Sequence, residues 1–261
     1  MNNKLNFNNN LSDNSSKVTI LLIVLGVILL VFISIMVYIN YSRYNQYKIH
    51  DFVEEELLKT VHDCKNNLLT IPGEKIPTSS LGNEYSLNMW LYVSDYNYNY
   101  DKPKYVLMKG STSSKGDNGI YNNANPGIYL AGGKNDLVID IELQSGQNAP
   151  VSSDDNSFAT CIISNIPLQR WLCINLSIYN NIIDVYMDGK LYKSHIFDGF
   201  PKPNNDSMYL GFDGGFDGYV SRITWANKNL SPEQIYAKYE EGPKILEDSM
   251  DKIKTTLGLT E

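Results

Sequence analysis

The alternation of apolar and polar residues is clearest between positions 171 and 196. Apolar side chains occupy every second position over 172–178 and again over 183–187. Asn180-Asn181 and Asp188-Gly189 separate the segments, and Asn, Asp and Gly tolerate the backbone angles of two-residue hairpin turns. The pattern predicts a meander of three antiparallel β-strands, to which the rest of the chain adds further strands.

The same period-two pattern begins at Tyr85, where the odd positions 85–93 are apolar or aromatic and oppose a second row of side chains. Shorter segments of this kind are separated by loops rich in Gly, Asn, Asp and Ser. Many short strands without long intervening helices indicate an antiparallel β-sandwich. The further predicted strands are 105–109, 127–130, 137–143, 158–163, 208–212 and 218–225.

The N-terminal part of the chain has a different composition. Residues 1–17 are rich in Asn and Ser without periodicity, which predicts a disordered tail. Val18–Ile39 contains no charged residue, and about 20 apolar residues span a bilayer as a helix. We interpret residues 18–39 as a single transmembrane helix that anchors the protein in a membrane.

A cleaved signal peptide is the competing interpretation of this segment. Its apolar region is typically shorter, about 7–15 residues, and ends in small residues, whereas Tyr38 and Tyr41 lie at this boundary. Lysines and arginines are balanced on the two sides of the segment, so the positive-inside rule does not select an orientation. The sequence therefore favours a retained anchor and leaves its topology undecided.

Helices are predicted on both sides of the sandwich. Apolar residues recur at helical spacing over 49–66, so residues 40–80 are interpreted as a juxtamembrane helix followed by a linker that contains Pro72 and Pro77. Ser231-Pro-Glu-Gln234 has the form of a capping box and predicts a short helix through Tyr239. Residues 243–261 carry an amphipathic pattern and predict a C-terminal helix.

Charge and cysteine content limit the function classes. The net charge of −7 and the absence of a basic cluster interleaved with aromatics argue against nucleic-acid binding. Cys64, Cys161 and Cys173 are too scattered for a zinc site. A disulfide between Cys161 and Cys173 and two buried thiols are both compatible with the sequence.

Several segments of residues 81–242 resemble the laminin-G-like, concanavalin A-like jelly-roll domains. The resemblance is carried by residues 85–93, by Pro167-Leu-Gln-Arg-Trp171, by the hairpin over 185–191, by 209–212 and by the closing segments 216–225 and 230–235. It implies an all-β, antiparallel jelly-roll β-sandwich with short flanking helices. Because the fold hosts sugar binders, protein binders and glycosidases, it implies no single activity.

One departure from the family disfavours catalysis. Glycosidases of this fold carry Glu-x-Asp-x-Glu on one strand, and Val138-Ile-Asp140-Ile-Glu142 resembles that motif with valine in place of the first carboxylate. A retaining glycosidase needs two carboxyl groups about 5–5.5 Å apart. We therefore expect no enzyme activity, and we expect Asp140 and Glu142 to form a polar pair on a solvated strand face.

Two loops carry candidate binding residues. Tyr96, Tyr98 and Tyr100 place three aromatic rings in a polar loop, where each ring offers a flat face for a sugar or a protein partner. Asp213 and Asp217 flank glycines, and Ca²⁺ prefers carboxylate and carbonyl oxygens, although Asp-Gly pairs are also ordinary turn formers. Asp154, Asp155 and Asp206 are further carboxylates for such a site.

The sequence thus predicts a single-pass membrane protein that displays one non-catalytic recognition domain. Carbohydrate is the first ligand class, by analogy with the family, and protein is the second. The alternative is a structural scaffold in a virion or membrane layer, because the Asn- and Tyr-rich composition and the anchored jelly roll resemble proteins of large DNA viruses. A glycoside hydrolase is the third and least favoured function.

Overall fold

The computed structural model describes residues 3–49, 52–79, 84–113, 115, 121, 124–144 and 158–244, with the side chains of 3–16 and 43–49 left out. The chain divides between Asp51 and Phe52 into two compact units. The first contains helix α1. The second contains two β-sheets and a short helix, and it holds every candidate site residue.

Helix α1 spans Asn3–Ile49. The prediction of a disordered tail over 1–17 is therefore wrong from Asn3 onward. Extending an existing helix adds one hydrogen bond per residue without a new nucleation step. The helix of the apolar segment can therefore continue through the polar residues before it. Within the described residues, Lys17–Ser42 is the one stretch long and apolar enough to cross a membrane, and a signal sequence would meet the same test.

Twelve strands form two six-stranded antiparallel sheets in the described part of the second unit. The first sheet has the order β1-β12-β3-β8-β9-β10, and the second has the order β2-β11-β4-β5-β6-β7. The strands are β1 Glu54–Asp63, β2 Leu69–Ile71, β3 Tyr85–Asp95, β4 Lys104–Gly110, β5 Ala124–Leu130, β6 Asp136–Glu142, β7 Phe158–Ser164, β8 Leu172–Tyr179, β9 Ile182–Met187, β10 Lys190–Ile196, β11 Met208–Leu210 and β12 Asp217–Ala226.

The predicted meander is confirmed as strands β8, β9 and β10, which pair in sequence. Its two turns contain Asn180 and Asp188 with φ of 52° and 47°. The alternation predicted for β3 is also confirmed, since Leu87, Met89 and Leu91 lie in the core between the sheets. Turn chemistry and the apolar face together fix the register of these strands.

The helix predicted over 49–66 is wrong, because this segment contains strand β1, which pairs with β12. Register shifts occur between Glu56 and Leu58 and between Leu58 and Val61. Each bulge lets apolar residues three apart in sequence fit a strand, which explains why the spacing looks helical. The predicted linker likewise contains β2, which pairs with β11, so the sandwich includes strands before Leu81.

Helix α2, Pro232–Glu240, begins at the predicted capping box. The backbone N–H of Gln234 donates to the Ser231 hydroxyl, and Gln234 Oε1 accepts from the Ser231 N–H. Ile235 packs with Tyr186 and Ala226 in a separate apolar cluster. Of the helix predicted over 243–261, all positions after 244 lie outside the described residues.

Candidate functional site

The loop between β3 and β4 carries the three tyrosines singled out from the sequence. Its rings lie at the end of the sandwich where β3 finishes at Asp95. We call Tyr96, Tyr98 and Tyr100 the tyrosine rim. The ring of Tyr100 is 44% exposed and lies edge-on to Tyr96, with the centroids 5.9 Å apart.

Each hydroxyl of the tyrosine rim anchors the loop to another turn. Tyr96 donates to the carbonyl of Ala131 over 2.7 Å, and Tyr100 donates to the carbonyl of Gly133 over 3.0 Å. The Tyr98 hydroxyl lies 2.9 Å from Asn66 Oδ1 and 3.1 Å from the carbonyl oxygen of Gly214. The tyrosine positions are therefore fixed by the protein before any ligand is bound.

Two lysines lie against these rings. Lys104 Nζ is 4.1 Å from the centroid of Tyr96 and donates to its carbonyl over 3.3 Å. Burial lowers the pKa of Lys104, although the charges of Asp101 and Asp95 oppose this. Lys65 Nζ lies 5.1 Å from the centroid of Tyr98. Such contacts attract the cation electrostatically to the face of the ring.

The structure brings the second candidate pair, Asp213 and Asp217, to the same rim. Asp213 occupies the left-handed region at φ 53° in a 3₁₀ turn, Phe212–Gly214. Gly214, whose carbonyl accepts from Tyr98, lies between the two aspartates in sequence. The two predicted sites are thus neighbours, which their separation in the sequence does not reveal.

Each aspartate of this pair has a lysine partner. Asp213 forms an ion pair with Lys115, and Asp217 forms one with Lys65 at 2.5 Å. The hydrogen bond to Asp217 is the main reason that the pKa of Lys65 is raised. Among the described residues, His, Cys, Asp and Glu side chains form no group of three that could hold a metal ion. Calcium binding at Asp213 and Asp217 remains a prediction and would require displacement of both lysines.

The remaining predicted calcium-site residues do not join the rim in the described structure. Asp154 and Asp155 lie outside the described residues. Asp206 lies before β11 and near Lys109: burial lowers the pKa of Lys109, and the charge of Asp206 opposes that shift. The rim therefore has two of the predicted carboxylates.

The expectation that Asp140 and Glu142 are solvated is wrong, because both are only 4% exposed. Asp140 accepts hydrogen bonds from the hydroxyls of Tyr129 at 2.8 Å and Thr160 at 2.7 Å. Glu142 forms a 2.6 Å ion pair with Lys202. Both carboxylates are engaged by their own neighbours, as is usual for buried charged groups.

Val138, the residue that departs from the glycosidase motif, lies on the same face as these carboxylates. It packs in an apolar cluster with Tyr105, Met108 and Tyr129. Burial raises the pKa of Asp140, and its two hydrogen bonds only partly oppose this shift. This face of the second sheet is built as a small second core.

The cysteines are free thiols. Cys161 lies in the core between the sheets, whereas the thiol of Cys173 contacts Asn88 Oδ1 at 3.3 Å on the β8–β3 pair. Cys161 belongs to β7 in the second sheet and Cys173 to β8 in the first. Of the two alternatives left by the sequence, the structure has the buried thiols.

Sequence reasoning missed a cavity of about 250 Å³ at the other end of the sandwich, where β3 begins. Its walls include Tyr85 and Trp225, whose stacked rings lie 4.3 Å apart, and the side chain of Lys109. Lys104 and Lys109 flank the apolar segment 105–108 and both are almost fully buried. Their position at the two ends of this apolar segment could have indicated from the sequence that both lysines are buried.

The sequence of this chain matches a known protein family. The family model described as Laminin_G_3, concanavalin A-like lectin/glucanases superfamily, matches residues 66–236. A search of curated protein sequences gives no match. The match covers well over half of the chain and confirms the resemblance drawn from residues 81–242.

Similar solved structures include receptor-binding domains of toxins. The receptor binding domain of botulinum neurotoxin D is 13% identical with a TM-score of 0.51, over 73% of this chain and 44% of that one. The botulinum neurotoxin serotype D ligand binding domain in complex with N-acetylneuraminic acid is 12% identical with a TM-score of 0.51, over 73% and 46%. This chain thus matches less than half the length of either domain.

At such identities the structural likeness concerns the fold, and the family assignment rests on the sequence match together with the two antiparallel sheets. The chain belongs to the concanavalin A-like lectin/glucanase superfamily.

Proposed function

We propose that this chain is a membrane-anchored, non-catalytic recognition module that binds carbohydrate at the tyrosine rim. The observation that supports the proposal is the contact of the Tyr98 hydroxyl with the carbonyl oxygen of Gly214 at 3.1 Å, which joins the tyrosine loop to the turn between Asp213 and Asp217. Aromatic faces beside carboxylates and lysines are the groups that position a sugar ring and its hydroxyls.

Preorganisation supports binding at this rim. Because the three tyrosine hydroxyls already bond to the protein, a ligand that stacks on the rings does not have to order them. The exposed ring of Tyr100 offers the apolar face, and Asp217 with Lys65 offers an acceptor and a donor for hydroxyl groups. One structurally similar toxin domain has been solved in complex with N-acetylneuraminic acid, which agrees with this ligand class.

A non-catalytic role is supported by the face of β6. Val138 cannot act as an acid or a nucleophile, and the carboxylates of Asp140 and Glu142 are held by Tyr129, Thr160 and Lys202. A glycosidase would need two carboxyl groups with access to the glycosidic bond.

The test is binding of the full chain, in detergent micelles, to a glycan array with calcium and with chelator. We expect reproducible binding that falls about tenfold, or about 1.4 kcal/mol, in Tyr100→Ala. Tyr179→Ala is the matched control, because Tyr179 is 46% exposed but lies at the end of β8 that is paired near Tyr85. Loss of binding in chelator would support a calcium site at Asp213 and Asp217. Equal losses of binding in Tyr100→Ala and Tyr179→Ala would contradict glycan binding at the tyrosine rim.

Anchoring through residues 18–39 is part of the proposal. It is supported by the apolar stretch Lys17–Ser42, whose side chains are exposed in the structure. An anchored protein should stay with membranes during alkaline carbonate extraction, and its mass should include residues 18–39. Release into the soluble fraction, or a measured mass that matches a chain beginning after Ser42, would favour a signal peptide.

A structural scaffold of a virion or membrane layer is the second candidate function. It is favoured by edge strand β10, on which Leu191, Tyr192 and Ile196 are 56%, 51% and 68% exposed. Exposed apolar side chains on an unpaired edge favour contact with another protein. A blank glycan array with folded protein, together with self-association that Ile196→Lys abolishes, would support the scaffold over the lectin.

A further inference from the structure

The cavity of about 250 Å³ at the end of the sandwich opposite the tyrosine rim has features of a second, separate site. Ligand pockets usually measure about 300–1,000 Å³, so this cavity suits a small molecule. We call it the Lys109 cavity, after the residue that makes it unusual. Tyr85 and Trp225 form one wall, and their planes are only 13° from parallel.

Lys109 is a buried cation that forms no ion pair with a carboxylate of the described residues. Its side chain is 4% exposed, and Nζ donates to Asn204 O at 2.6 Å and to Asn204 Oδ1 at 2.5 Å. No described Asp or Glu oxygen lies within 4.0 Å of Nζ. Burial lowers the pKa of Lys109 to about 8, and the charge of Asp206 opposes the shift without reversing it. The ammonium therefore still carries a proton at neutral pH, and a buried cation favours an anion beside it.

Hydrogen-bond donors exceed acceptors around Lys109. An ammonium has three N–H groups, and among the described residues two acceptors are present. Asn204 Nδ2 is also buried and has no partner in the described structure. The amide cannot be turned to relieve this, because Nδ2 would then face the ammonium. Two adjacent donors thus lack acceptors, and a carboxylate supplies two acceptor oxygens.

The other walls indicate the rest of the ligand. The polar atoms of the stacked rings are already used, since Tyr85 donates to Asn125 Oδ1 at 2.7 Å and Trp225 Nε1 donates to the carbonyl of Pro77 at 2.9 Å. The ring wall is therefore apolar toward the cavity. Glu84 also borders the cavity, where it would accept from a ligand hydroxyl and repel a second anionic group.

We infer that the Lys109 cavity binds a small organic acid with one carboxylate and several hydroxyl groups, of the size of a single sugar acid. The carboxylate bonds to Lys109 Nζ and Asn204 Nδ2, and the apolar face of the molecule lies on the Tyr85–Trp225 wall. This site is separate from the tyrosine rim and does not depend on glycan binding there.

Sodium D-glucuronate is the probe, and D-glucose is its neutral match, with a hydroxymethyl group in place of the carboxylate. Titration of the full chain in detergent, by calorimetry and by tryptophan fluorescence, should give saturable glucuronate binding at pH 7 and at least tenfold weaker glucose binding. Tyr100→Ala should bind glucuronate like the wild type, which separates this result from any failure at the rim.

Two variants decide the role of the cation. Lys109→Met and Asn204→Asp should each reduce glucuronate binding at least tenfold, the second because its carboxylate takes the place of the ligand with little change in shape. Circular dichroism checks that each variant is folded. If Lys109→Met does not fold, binding by Asn204→Asp and the pH dependence of wild-type binding decide whether the cation binds the carboxylate. Wild-type binding should weaken as the pH rises through about 8, where Lys109 loses its proton beside Glu84 and Asp206. Equal binding of glucose, absent saturation in folded protein or unchanged binding by Asn204→Asp would each overturn the inference.

Discussion

The hydroxyl of Tyr98 donates to the carbonyl oxygen of Gly214 across 3.1 Å, although the two residues are 116 positions apart in the chain. The same hydroxyl lies 2.9 Å from Asn66 Oδ1. One side chain thus joins three turns at one end of the sandwich. Through this oxygen the tyrosine loop contacts the turn that carries Asp213.

Replacement of Tyr98 by Phe should loosen these turns while the ring remains. We expect the free energy of unfolding of the β-sandwich to fall by about 1 kcal/mol, the typical net contribution of such hydrogen bonds. Denaturant unfolding of the full chain in detergent measures the change, and Tyr179→Phe is the control at the opposite end. Equal stability of Tyr98→Phe and wild type would show that the hydroxyl does not hold the turns together.

Replacement of Gly215 by Ala should be far more destabilising than replacement of Gly133. Both glycines have positive φ, 58° and 71°, and the ψ of −149° at Gly215 lies in a region that essentially only glycine occupies, so an alanine there is strained by its backbone conformation as well. A Cβ on Gly215 would lie 2.0 Å from the backbone oxygen of Cys64, whereas one on Gly133 would meet nothing within 4 Å. We expect Gly215→Ala to lose at least about 2 kcal/mol more, by thermal or denaturant unfolding. Similar losses would mean that the backbone of Cys64 does not pack against this turn.

The stability difference between wild type and Lys109→Met should depend on pH. Burial lowers the pKa of Lys109 from 10.5 to about 8, so the unfolded chain takes up this proton first as the pH falls. The stability contribution is therefore present above about pH 10.5 and is lost as the pH falls through about 8. Between pH 8 and 10.5, the free energy of unfolding of wild type should rise by no more than about 3 kcal/mol relative to that of Lys109→Met. A flat difference across this window would show that the lysine is solvated.

Asp140→Asn should be tolerated, whereas Asp140→Ala should not. Burial raises the pKa of Asp140, so its charged form is disfavoured in the folded state, and the contribution present at low pH is lost as the pH rises through the folded pKa. Asn keeps a partner for the hydroxyls of Tyr129 and Thr160 without that charge.

At pH 7 we expect Asp140→Asn to unfold at the same or a higher denaturant concentration than wild type. Asp140→Ala should lose about 2 kcal/mol, because buried hydroxyls are left without a partner. Glycan binding should survive in Asp140→Asn if the tyrosine rim is the binding site. Loss of glycan binding in Asp140→Asn would indicate that the binding site lies on the face of β6.

The sequence predicts those parts of the fold that depend on neighbours in the chain. The β8–β10 meander is of this kind, because Asn180 and Asp188 encode the turns themselves. Strand β1 is not, because its pairing with β12 uses two bulges, and bulges give a strand the spacing of a helix.

The candidate sites follow the same division. The tyrosines and the Asp213 turn are recognisable from local composition, but their contact through Tyr98 arises only from the fold. The Lys109 cavity was not predicted because lysine is usually a surface residue, and the apolar segment 105–108 beside it does not show which distant residues complete the cavity. Its partner Asn204 is 95 positions away.

Strand β1 also protects the sandwich from other copies of the chain. It covers the outer edge of β12, a long strand that would otherwise display a row of unpaired N–H and C=O groups. A fragment that begins at Leu81 lacks both β1 and β2 and leaves the edges of β12 and β11 open. Such edges pair with one another and lead to aggregation. A soluble version of the domain should therefore begin at Phe52, where the compact unit begins.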